Sequence, residues 1–84
     1  MNRDFVPFNL REAEQALSGT IKEIESDAAY GHFELSIEMA HLYHHLNTAW
    51  NARESSEERA RVCSQEDYEQ WSRFPLDLAP LGTV

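Results

Sequence analysis

Four side chains of one segment are spaced to share a metal ion. On a helix advancing about 100° per residue, Glu34, Glu38, His41 and His45 fall in a band about 60° wide. Carboxylates and imidazoles on one helical face supply the oxygen and nitrogen donors of a transition-metal site in a helical bundle. The same spacing has a plainer chemistry. Glu–His pairs at i,i+3 and i,i+4 support a solvated helix flank by roughly 0.2–0.5 kcal/mol each. The band borders the apolar stripe of its helix and does not lie within it, so the solvated flank is the preferred reading.

The run Glu38-Met39-Ala40-His41 resembles the Glu-x-x-His step of ferritin-like di-iron proteins, over four residues. That resemblance implies a metal pair bridged by residues from several helices, with further carboxylates from a neighbour. Glu14, Glu23 and Asp27 are the acids the preceding segment offers, and a second copy of the chain would supply a second motif. The apolar stripe of that preceding segment carries no glutamate; Glu14 borders it and Asp27 lies near its end.

Other reactive residues form no constellation. Cys63 is the only cysteine, which excludes an internal disulfide or a cysteine-based zinc site. With no asparagine or aspartate arrangement marking it as a nucleophile, it reads as a small packing residue. Ser18-Gly19-Thr20 lacks the lysine and preceding strand of a phosphate loop. Tyr43 and Trp50, seven apart, read as core or interface aromatics. No complete catalytic or nucleotide-binding motif occurs.

The elements that position these residues read as all-α. Residues 1–8 form a short arm, in which Pro7 ends any regular structure. Asn9 then caps a helix over residues 10–29, with Glu12 closing a capping box and Phe8 stapling to Ala13. The stripe Leu10, Ala13, Leu17, Ile21, Ile24, Ala28 steps by three and four, the helical period. Gly19 interrupts it and marks a close approach of another helix; Gly31 stops the helix. Residues 33–53 form a second helix on Leu35, Met39, Leu42, Leu46, Ala49 and Trp50. Phe33, Leu35, Ile37 and Met39 also alternate as a strand would over residues 32–38, but the longer pattern prevails. A turn near Gly31 makes an antiparallel hairpin with Leu17 opposite Leu46 and Ile21 opposite Leu42. Residues 56–73 are one kinked helix or two short ones, capped at Ser55 or Ser56 and again at Ser64. Pro75 ends them, and residues 75–84 form an extended tail lying in a groove.

Composition bounds the function. The chain has 84 residues in a single domain, 15 acids against 7 bases, and a net charge of -8. At 42% hydrophobic and 11% aromatic it is too apolar for a disordered acidic tail. The negative surface repels phosphate, so nucleic acid is not an expected partner. No apolar run reaches bilayer length, so neither is a membrane. No leader is evident, and a reducing cytoplasmic setting is expected. A domain this small buries little, so a homo-oligomer that completes a bundle is expected. The resulting expectation is an acidic, non-catalytic interaction or regulatory module acting as an oligomer. The alternatives are the metal-binding bundle and an acidic mimic or inhibitor of a basic partner, although Glu12, Glu23 and Glu25 share no helical edge.

Overall fold

The computed structural model describes residues 1–79, which hold four α-helices and no strand. They are α1 (Phe5–Ser26), α2 (His32–Asn51), α3 (Glu57–Val62) and α4 (Gln65–Trp71). The long helices α1 and α2 pack against each other as an antiparallel hairpin, and α4 packs across the C-terminal half of α2. The all-α expectation stands. Residues 80–84 of the expected tail lie outside the described residues.

The arm expected over residues 1–8 is instead the start of α1. Asn2 makes that start possible. Its Oδ1 accepts from the amides of Asp4 (3.2 Å) and Phe5 (2.9 Å), which satisfies donors that a helix start leaves open. Its own amide donates to Arg53 O (2.6 Å) and its side chain to Ser55 O (3.2 Å). The N-terminus is thereby tied to the far end of α2. Pro7 lies within the first turn, where its missing N–H is not needed. Asn9 is no cap: it is 2% exposed, one turn inside the helix.

The turn of the hairpin also falls earlier than residues 10–29 imply. Asp27 follows the last residue of α1, its Oδ1 accepting from Ala29 N (2.9 Å) and its carbonyl from Tyr30 N (3.0 Å). An aspartate side chain closing on the backbone two residues ahead builds a tight local turn. Gly31 starts α2 and does not stop α1; its extended backbone leads into His32. The earlier turn moves the register. Asn9 bonds His45 and Asn2 bonds Arg53, so Leu46 lies level with the first turns of α1, about two helical turns from Leu17. Residues 32–38, ambiguous in sequence, are helical throughout.

Residues 56–73 form two helices. Ser56 Oγ accepts from Arg59 N and Ser64 Oγ from Asp67 N, each at 3.1 Å, the two caps expected from sequence. Between them Cys63 holds a left-handed backbone with φ 44°. Arg59 locks the pair together, reaching Asp67 at 2.5 and 3.4 Å while lying over the Trp71 ring.

Among the described residues the buried apolar side chains are Ala13, Ala49, Ala52, Trp71 and Pro75, and no large one is fully enclosed. The α1–α2 seam is therefore made of small residues, which let the two backbones approach. Gly19 takes no part in that approach, because a Cβ there would meet nothing within 4 Å.

Candidate functional site

The hairpin has two faces. One is covered by α4 and the chain leading to Ala79. The other is open. Asn9 and Ala13 on α1 face His45 and Ala49 on α2, which fixes the rotation of both helices. From there, an advance of about 100° per residue turns Leu10, Leu17, Ile21 and Ile24 of α1 to the side opposite α4. The antiparallel direction turns Leu35, Met39, Leu42 and Leu46 of α2 to that same side. Leu42 is half-buried. The other seven are 37–50% exposed. They lie along one side of the hairpin, with Glu38 half-buried near its middle.

The covered face is polar where a core would be apolar. Asn9 Nδ2 donates to Phe5 O (3.0 Å), and its Oδ1 meets His45 Nδ1 at 2.9 Å. Asn47 Nδ2 donates to Ser72 O (3.0 Å), and Asn51 Nδ2 to Trp71 O and Arg73 O (2.9 and 2.6 Å). These two asparagines, one turn apart, hold the end of α4 against α2. Beyond it, Trp50 Nε1 donates to Asp77 (2.9 Å), and Arg53 stacks on the Trp50 ring while pairing with Asp77 at 3.5 Å.

Hydrogen-bond logic fixes two histidine tautomers. The carbonyl of Phe5 can only accept, so Asn9 must present its NH2 there and its oxygen to His45. His45 therefore carries its proton on Nδ1. Ser72 Oγ gives its hydrogen to Tyr68 O (2.6 Å) and meets His44 Nδ1 at 3.0 Å. His44 therefore also donates from Nδ1. Both rings keep Nε2 as an open acceptor. Burial, and then the nearby His41, lowers the pKa of His44; burial, His44 and His41 lower that of His45, with Glu12 partly opposing. The rings form a ladder, with centroids 4.9 Å apart for His41–His45, 4.8 Å for His44–His45 and 5.1 Å for His44–Tyr68.

The residues of the Glu/His band do not act together. Glu34 Oε2 accepts from Gly31 N at 2.6 Å, so this carboxylate is spent on starting its own helix. Glu38 is half-buried toward the hairpin turn, where burial and then the Glu38 charge raise the Tyr30 pKa. The His41 ring lies tilted against that of His45, and His45 turns to Asn9. Among the described residues, no three His, Cys, Asp or Glu side chains converge to hold a metal ion. The sequence reading missed Asn2, Asn9 as a buried residue, Asn47 and Asn51. A run of asparagines at helical spacing was the available signal.

No helix among the described residues is long and apolar enough to cross a membrane. No protein-family model, no curated protein and no solved structure matches the chain.

Proposed function

We propose that this protein is a small acidic, non-catalytic interaction module that works as an oligomer through the open face of its hairpin. The occupant of that face is a second copy of the chain, and two hairpins joined there make a four-helix bundle. One observation carries the reading: the large aliphatic side chains of both long helices lie together and about half exposed. Seven such side chains make a patch on the order of 500 Å², at the upper range of what soluble monomers leave open. Two copies would bury about 1,000 Å² from these side chains alone, the threshold for a specific interface. The eight side chains of the patch are all uncharged, and most of the net charge of -8 lies on exposed positions, where water screens it. A reducing, cytoplasmic setting fits the free thiol of Cys63.

The test is mass by light scattering from micromolar concentration downward, on the native protein and on Leu17→Glu. The reading expects at least twice the 9.7 kDa chain mass for the native protein and 9.7 kDa for the variant. A native protein that stays at the chain mass at micromolar concentration refutes it.

A further inference from the structure

A cavity of about 170 Å³ lies on the covered side of the hairpin, between the N-terminal turns of α1, the C-terminal half of α2, and α3–α4. Its walls are the rings of Phe5, Phe8, Tyr68 and Trp71, and His44, His45 and Thr48 enter it from α2. A dry cavity of about 150 Å³ holds one benzene ring, so this one has room for a single aromatic ring. Aromatic walls favour a flat partner that can stack or meet them edge-on.

The polar groups narrow the choice. His44 and His45 are both committed at Nδ1 as donors, and their Nε2 atoms, unbonded among the described residues, only accept. Thr48 is 5% exposed, and its hydroxyl has no hydrogen-bond partner among the described residues. A buried polar group without a partner costs free energy that a matching ligand restores. The matching ligand must offer a hydrogen to an imidazole nitrogen. It must also be neutral, because no charged side chain lines the cavity and an ion would go uncompensated.

We infer that this cavity is a binding site for a neutral single-ring aromatic molecule bearing one hydrogen-bond donor, the class of which phenol is the simplest member. The ring lies against the cavity walls made by Phe5, Phe8 and Trp71, and the hydroxyl donates to Nε2 of His44 or His45.

The test uses the full chain with phenol and toluene as probes. Binding is followed by Trp71 fluorescence, with Trp50→Phe removing the other tryptophan, and by the 15N shifts of the histidine rings. The inference expects saturable one-to-one binding of phenol, a shift of His44 or His45 Nε2, and roughly fivefold weaker binding of toluene, the loss of one hydrogen bond. Thr48→Leu, which adds bulk at the wall, should weaken phenol at least tenfold. Equal binding of phenol and toluene, or non-saturating phenol, overturns the inference. The phenol–toluene ratio and ring shifts are also read on the unaltered protein, so a variant that fails to fold does not leave the question open.

Discussion

The two faces of the α1–α2 hairpin are built on opposite plans. The covered face is held by directed hydrogen bonds: Asn9 to Phe5 and His45, and Asn47 and Asn51 to the end of α4. The open face holds Leu17, Ile21, Ile24, Leu35, Met39 and Leu46, about half exposed and joined by no polar group. In a self-sufficient domain the aliphatic side chains would fill the centre and the asparagines would lie outside. Here the polar network sets how the short helices sit, and the large aliphatic side chains of the long helices stay about half exposed. Hydrogen bonds give geometry and only modest net stability; apolar burial gives most of the stability.

The largest effect should come from placing a charge in the open face. Leu17→Glu would bury a carboxylate against apolar side chains in the assembly, a cost of several kcal/mol. It should yield a monomer with a markedly lower thermal midpoint. The same substitution at Val62, exposed on α3, should change the midpoint little.

Truncation sharpens the contrast. Leu42→Ala and Leu46→Ala should each cost about 2–5 kcal/mol if the face is covered, the range for a buried leucine. Denaturant unfolding at high protein concentration measures this. If the face stays bare, half-exposed side chains will show well under that loss.

The covered face answers to a different substitution. Asn9→Ala removes the side-chain partner of His45 Nδ1 and of Phe5 O, although alanine itself favours the helix. It should cost about 1–3 kcal/mol without altering the mass in solution. A change of oligomeric state would mean the two faces are not independent.

Acid should act on the covered face as well. The folded pKa values of His44 and His45 lie below the ordinary 6.5, chiefly through burial, so the unfolded chain binds protons more readily. Their contribution to stability is therefore intact above pH 6.5 and is lost as pH falls through the lower folded values. Unfolding midpoints between pH 7.5 and 5 should decline with acid, and His44→Gln should flatten the decline.

The smallest effect is a gain. Gly19 has open space where a Cβ would stand, so Gly19→Ala should stabilise α1 by about 0.5–1 kcal/mol, read as a higher denaturant midpoint.

The helices themselves were legible. The three-and-four spacing of Leu17, Ile21 and Ile24 and of Leu35, Met39, Leu42 and Leu46 marked both long helices, and Ser56 and Ser64 marked the two short ones. What those stripes packed against was not legible. A stripe says which side is apolar but not which neighbour covers it, and the seam formed instead at Ala13 and Ala49, beside the stripes. Asn9 showed the capping pattern with Glu12, yet Asn2 took the cap because its side chain could also reach Ser55, a contact 53 residues away in sequence. Pro7 looked like a barrier because a proline in the first turn and a proline before a helix read alike. The Glu/His band fell apart for a local reason: Glu34 lies three residues after Gly31, where a carboxylate serves its own helix start.

Isotope-filtered methyl NMR tests directly whether a second copy covers the open face. With labelled and unlabelled chains mixed in equal amounts, intermolecular contacts should arise from the methyls of Leu17, Ile21, Ile24, Leu35 and Met39, and not from Val62. Absence of intermolecular contacts from those methyls at concentrations where the protein is fully folded would contradict the account.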